Sequence, residues 1–215
     1  MKNKLIIADD HPIFRKGLID ILKMERSFQI CGEAADGNEA LHLILKQKPD
    51  IAVLDVDMPF LDGLQVCKKA LEQRSSTRFV ILTMHKEEDI FNESLNIGVS
   101  GYVLKDNAVS DIIDCIKTVA DNRIYISPGI HHFLVKREQL HQKQDSLKER
   151  LSELTVSETR ILKLIADNKS TREIADMLFV SYKTIENHRS NICRKMGLEG
   201  NNALLKFVIE NKTHF

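Results

Sequence analysis

Cysteine is scarce in this 215-residue chain, and the four that occur, Cys31, Cys67, Cys115 and Cys193, stand far apart with no C-x-x-C pair. That spacing argues against a zinc site or a disulfide framework and fits a reduced interior. Long apolar runs are missing too. Nothing approaches the roughly 20 apolar residues that span a bilayer, and the run inside "MKNKLIIADD" is too short before its acidic pair to be a secretory leader. The expectation is a cytoplasmic protein with no membrane partner. Net charge is also absent, with 31 Lys and Arg against 31 Asp and Glu, yet the balance is uneven along the chain. Residues 1–147 carry 19 basic against 22 acidic side chains, and residues 148–215 carry 12 against 9. An acidic front and a mildly basic tail point to different partners for the two parts.

What is present is an alternation. The runs "KLIIA", "QICGE", "DIAVLD", "RFVILT" and "GYVLK" read as five strands, separated by helix-length amphipathic segments such as "PIFRKGLIDILK". Repeated strand and helix calls for a doubly wound α/β domain, a five-stranded parallel sheet with helices on both faces, over residues 1–125. Residues 126–150 are polar, with leucines at roughly helical intervals, and read as a linker helix; a short coiled-coil contact is the alternative. Residues 151–215 read as a small all-helical domain. "TVSE" and "STRE" match the S/T-x-x-E capping box, Ser181 precedes a third helix, and the short link "FVS" suits a helix-turn-helix.

In an open parallel sheet, ligands sit beyond the carboxyl ends of the strands. Asp9 and Asp10 follow the first strand, Asp55 ends the third, Thr83 the fourth and Lys105 the fifth, so all five converge on one edge. Clustered carboxylates repel unless a cation sits among them, and an oxygen-only donor set favours Mg²⁺ over zinc. Asp55 at a strand tip can be a nucleophile toward phosphorus, with Asp9 and Asp10 holding the metal. Lys105 and Thr83 then meet the phosphoryl oxygens.

In the tail's third helix, Ile185, His188, Arg189, Ile192 and Met196 fall on one side at 100° per residue, and Lys183, Asn187, Ser190 and Arg194 on the other. The second set suits a helix in the major groove, where Asn pairs with adenine and Lys with guanine. His188 reads as a packed core histidine. Glu186 flanks the outward face and can either accept from a cytosine amino group or repel the backbone. The residues assigned to DNA are Lys183, Thr184, Glu186, Asn187, Ser190, Arg189, Arg194 and Lys195, of which Arg189, Arg194 and Lys195 are phosphate-contact candidates.

These motifs carry a resemblance. "IIADDHPIFRKGL", "DIAVLDVDMPFLDGL", "VILTMH" and "GYVLKD" look like the receiver domain of bacterial two-component response regulators. "LTVSETRILKLIADNKSTREIADMLFVSYKTIENHRSNICRKMGL" resembles the LuxR-type helix-turn-helix, and the whole is similar to the NarL/FixJ family. The resemblance implies a transcription regulator rather than an enzyme, with Asp55 accepting phosphate from a sensor histidine kinase. It places Mg²⁺ on Asp9, Asp10, Asp55 and the backbone carbonyl of Asp57, with Thr83 and Tyr102 as a switch pair. It further implies a homodimer on phosphorylation, bound to inverted or direct half-sites. Asp106 stands where many receivers carry proline. Two rivals share the residues: a phosphohydrolase using "DVD" as its D-x-D motif, and a receiver serving as a phosphate-independent dimerisation module.

Overall fold

The computed structural model describes residues 2–200 and 202–211. The chain forms two compact units, residues 1–137 and 138–215.

The first unit is a parallel sheet with β1 (Asn3–Ala8), β2 (Phe28–Ala34), β3 (Ile51–Asp55), β4 (Arg78–Thr83), β5 (Gly101–Leu104) and β6 (Tyr125–Ile126). The spatial order is β2-β1-β3-β4-β5-β6 and every pairing is parallel. Side chains alternate across each strand. Leu5, Ile7, Ile51, Val53, Val80, Leu82 and Val103 therefore face one core, filled from α1 (Pro12–Lys23) and α5 (Ala108–Ala120). Ile6, Ala8, Ala52, Leu54, Phe79 and Ile81 face the other. That core is filled from α2 (Gly37–Gln47), α3 (Gly63–Glu72) and α4 (Glu88–Ile97).

The sequence reading needs one correction: the sheet has a sixth strand. Two residues are too few to show a period, so β6 is invisible to hydrophobic patterning. Long-range pairing creates it, with the Tyr125 amide donating to Ser100 and the Ser127 amide to Tyr102. The fifth strand also stops at Leu104, and Lys105 opens a single 3₁₀ turn, Lys105–Asn107.

Two glycines set the loop after β3. A Cβ on Gly63 would lie 2.2 Å from the Asp55 carbonyl oxygen, and one on Gly37 would lie 1.9 Å from that of Leu61. Only a residue without a side chain lets the starts of α3 and α2 approach so closely. The amides of Gly63 and Gly37 then bond the carbonyls of Val56 and Pro59, pinning the loop at both ends.

A long helix, α6 (His131–Ser152), has no fully buried residue and is polar nearly all round. Its Phe133 and Leu134 join the core of the first unit, and its Leu147 and Leu151 join that of the second.

The second unit is helical: α7 (Val156–Ala166), α8 (Thr171–Leu178), α9 (Tyr182–Lys195) and α10 (Ala203–Glu210). Both capping boxes form, Thr155 with Glu158 and Ser170 with Glu173. Ile161, Ile165, Ile174, Ile185, Ile192 and Met196 close the core, with Leu204 and Val208 from α10. Glu158 does double duty. It takes the Thr155 amide at 2.8 Å and the Lys195 ammonium at 2.7 Å, tying α7 to the end of α9.

Lys195 holds the Glu158 carboxyl down to about 2 from its ordinary 4.5. A lowered folded-state pKa contributes stability above the unfolded value and loses it as pH falls through the folded one. Glu158→Gln is expected to cost the C-terminal unit about 1–2 kcal/mol at neutral pH, the range of a lost cap and a part-exposed ion pair. Calorimetry of the full chain should show this penalty in one transition, shrinking as pH drops from about 4.5 toward about 2.

Candidate functional site

The order β2-β1-β3 places the topological switch point between β1 and β3, where the crossovers leave toward opposite faces and open a crevice. Asp9 and Asp10 follow β1 there, and Asp55 closes β3 beside them. The Asp9 amide, bonded to Ala34, and the Arg15 guanidinium, which donates to the Asp9 carbonyl, fix the turn into α1. Asp9, Asp55 and Thr83 are fully buried, and Asp10 is partly open.

Lys105 reaches in from the β5 end. Its ammonium lies 2.6 Å from Asp55 Oδ2 and 2.9 Å from Asp9 Oδ2, and rests 5.1 Å above the Phe14 ring. Burial works against this charge, but the hydrogen bonds and charges of Asp55 and Asp9 outweigh it and raise the Lys105 pKa. Asp55 moves the same way for the opposite reason. Removal from water pushes its carboxyl up to about 6 despite the pull of Lys105.

One ammonium cannot serve three carboxylates. Among the described residues, Asp55 Oδ1 is buried without a hydrogen-bond partner, and the buried Asp10 Oδ1 has only the His11 ring nitrogen, at 2.6 Å. Ligand atoms of Asp9, Asp10, His11 and Asp55 all lie within 4.8 Å of one another. Buried, incompletely partnered carboxylate oxygens at this spacing fit a hard divalent cation. The acidic cluster is of the kind that binds Mg²⁺.

The second aspartate of "DVD" behaves differently. The Asp57 side chain is exposed and turned onto His85, whose Nε2 lies 2.9 Å from Oδ2, while His85 Nδ1 lies 3.2 Å from Glu87. The hydrogen bond to Asp57 raises the His85 pKa. His85 also joins the two switch candidates through its backbone. Its amide donates to Thr83 Oγ1 at 3.0 Å, and its carbonyl accepts from the Tyr102 hydroxyl at 3.3 Å. The Tyr102 ring lies inside, edge-on to Phe91 at 5.4 Å, and Phe91 meets Phe133 at 5.8 Å. Asp106, in the position where many receivers have proline, pairs with Lys86 at 2.8 Å.

In the second unit, Lys183, Glu186, Asn187, Ser190 and Arg194 lie exposed along α9. Arg189 and His188 are half-buried on the opposite side. Thr184 and Lys195 are committed within the domain. The Thr184 hydroxyl lies 2.8 Å from that of the capping Ser181, and the Lys195 ammonium is held by Glu158 and the Glu153 carbonyl. The S/T-x-x-E box marks Glu158 in the sequence as a capping residue but not as the partner of Lys195, and nothing local marks His85.

Two family models match: the response regulator receiver domain over residues 5–117 and the bacterial regulatory proteins of the luxR family over residues 152–208. The chain is a two-component response regulator of the LuxR type. It is 34% identical to the oxygen regulatory protein NreC of Staphylococcus carnosus over 212 residues, covering 97% of this chain and 98% of that one. With the transcriptional regulatory protein DegU of Brevibacillus brevis it shares 31% over 222 residues, covering 98% and 94%. Among solved structures, RcsB bound to DNA aligns at 25% identity and a TM-score of 0.59, over 98% of this chain and 100% of that one. The receiver domain of the putative response regulator NarL from Mycobacterium tuberculosis aligns at 36% identity and 0.55, over 57% and 98%. These relatives are transcriptional regulators, not enzymes, which sets the phosphohydrolase rival aside. The outward-turned Asp57, remote from the role of a general acid, agrees. Among the described residues, no helix is long and apolar enough to cross a membrane.

The Lys105 bridge yields a stability test. Lys105→Met leaves the buried Asp9 and Asp55 facing each other with no ammonium between them. In metal-free buffer at neutral pH the receiver is expected to lose about 3 kcal/mol, as for other broken buried pairs. Circular dichroism melting should also show that added Mg²⁺ restores more stability to the variant than to the wild type.

Proposed function

We propose that this regulator is switched by phosphoryl transfer to Asp55 from a sensor histidine kinase, and that the switch controls dimerisation and sequence-specific DNA binding. The observation that carries the reading is Asp55 itself, buried at the β3 tip with one oxygen on Lys105 and the other without a hydrogen-bond partner. An oxygen of Asp55 attacks phosphorus as the bond to the kinase's histidine nitrogen breaks. Asp9, Asp10, Asp55 and the Asp57 carbonyl would hold Mg²⁺, which when bound supplies positive charge to the transferring oxygens. Lys105 stays beside the new acyl phosphate as its fixed counter-charge.

Thr83 and Tyr102 share one partner, and this suggests how the signal leaves the pocket. A phosphoryl oxygen recruits the Thr83 hydroxyl, the grip of that hydroxyl on the His85 amide changes, and the same residue's carbonyl carries Tyr102. Tyr102, Phe91 and Phe133 form a continuous aromatic contact to the first turns of α6. Lys136 on Glu88 at 2.6 Å and Arg137 on Asn96 at 2.8 Å hold those turns against α4. Displacement of the rings therefore reaches the segment that leads to the DNA-binding domain. The net charge of the tail is small, so one copy binds weakly and two copies on paired half-sites bind usefully. The relative RcsB has been solved as two dimers on two parallel DNAs, which supports a dimeric reading here.

In this reading Lys183 and Asn187 meet base edges, with Ser190 and Glu186 flanking them, and Arg189 and Arg194 meet phosphates. Thr184 and Lys195 complete the proposed DNA face, Lys195 as a further phosphate contact, while each also keeps a partner inside the domain.

Acetyl phosphate with Mg²⁺ tests the first half. Intact mass should show one phosphoryl adduct on wild type and on Asp57→Asn, and none on Asp55→Asn. An adduct on Asp55→Asn would refute the assignment. No adduct on any chain, with unchanged DNA binding, would favour the phosphate-independent module.

For DNA, fluorescence anisotropy on an operator selected with the wild type separates the two kinds of contact. Lys183→Ala should cost about 1–3 kcal/mol and relax specificity at one base pair. Arg194→Ala should weaken all sequences alike and lower the salt slope by about 1.

A further inference from the structure

His11 directly follows the acidic pair, at the N-terminal boundary of α1. Boundary residues there usually accept a hydrogen bond from a helix amide through a side-chain oxygen. His11 makes no side-chain cap, so its ring is not spent on the helix. Its backbone amide is instead bonded to Asp9 Oδ1 at 2.8 Å, which turns the residue back over the pocket. The ring Nδ1 then lies 2.6 Å from Asp10 Oδ1 and 3.6 Å from Asp9 Oδ1. It falls inside the same 4.8 Å cluster as Asp9, Asp10 and Asp55. Independently of that clustering, Asp55 Oδ1 is buried in the pocket with no hydrogen-bond partner among the described residues, which itself calls for a cation.

Resting on the metal reading above, we infer that His11 Nδ1 is a nitrogen ligand of the receiver's divalent cation and tilts the site toward borderline transition ions over Mg²⁺. The physical basis is ligand softness. Carboxylates and carbonyls alone suit Mg²⁺, whereas imidazole adds strength for Fe²⁺, Co²⁺, Ni²⁺ and Zn²⁺ and little for Mg²⁺, which prefers oxygen and keeps its waters. The side chain is 68% exposed, so the ring can adjust to an ion without disturbing the core, and its Nε2 is left to solvent. The competing account is that His11 is only a counter-charge for Asp10. A counter-charge would have to be displaced by any incoming cation, so the two accounts predict opposite responses to removal of the ring.

The test uses the full chain as wild type, His11→Ala and Asp10→Asn, titrated separately with Co²⁺ and with Mg²⁺ by calorimetry at slightly alkaline pH. Proton NMR of the Co²⁺ form adds a direct signature, because a coordinated imidazole shows strongly shifted ring resonances. His11→Ala is expected to lose about tenfold in Co²⁺ affinity and less than about twofold in Mg²⁺ affinity, with the shifted resonances gone. Asp10→Asn should weaken both ions, which identifies the site as the shared one. Equal changes for the two ions, tighter binding in His11→Ala, or no shifted imidazole in wild type would overturn the assignment while leaving the Mg²⁺ reading intact. Failure of Co²⁺ alone to bind wild type would overturn the His11 assignment, and failure of both ions would overturn it together with the Mg²⁺ reading.

Discussion

The ammonium of Lys105, set between Asp55 and Asp9, is the constraint on which the receiver depends. Three charges sit at the ends of three strands, and none of the three side chains is more than 9% exposed. Isolated, each would be prohibitively costly to bury, so the strands carrying them must arrive in register for any of them to be tolerated. The parallel order β2-β1-β3-β4-β5 delivers that register, and the two apolar faces of the sheet enforce it. The arrangement is incomplete by design. One cation among three carboxylates holds the pocket together yet leaves oxygen valence over, and that surplus gives the pocket its chemistry.

The proposed output path has a similar economy. His85 takes part in four relationships at once: its ring with Asp57 and Glu87, its amide with Thr83 and its carbonyl with Tyr102. A residue so shared cannot change one partner without disturbing the others, which is what a two-state element requires. Tyr102 and Phe91 in that aromatic chain are fully buried, in close-packed surroundings where displacement is passed on rather than absorbed.

Much of this was legible in the sequence, and the reasons are physical. Fully buried strands read as unbroken apolar runs, so β1, β3 and β4 were plain, and strand-end positions followed for Asp9, Asp55 and Thr83. The helix boundaries near Thr155, Ser170 and Ser181 were plain because capping needs particular side chains at fixed spacing. What escaped was set by distance in the chain. β6 is made by pairing with β5, His85 acts through backbone atoms that any residue would have, and Lys195 is claimed by Glu158, 37 positions away. Lys195 and Thr184, assigned to DNA from the sequence, also have partners inside the domain, and helical geometry alone does not show those partners.

The close approach at Gly37 and Gly63 has a consequence for how such chains are compared. A methyl group at either position would collide with main-chain oxygen rather than with a yielding side chain, and at Gly63 that oxygen belongs to Asp55 itself. A receiver could therefore keep every acid, the lysine and the threonine and still lose the shape that presents them. An inventory of reactive residues would score that chain as competent. The two positions with no side chain at all are thus as necessary to the shape of this pocket as the aspartates are to its charge.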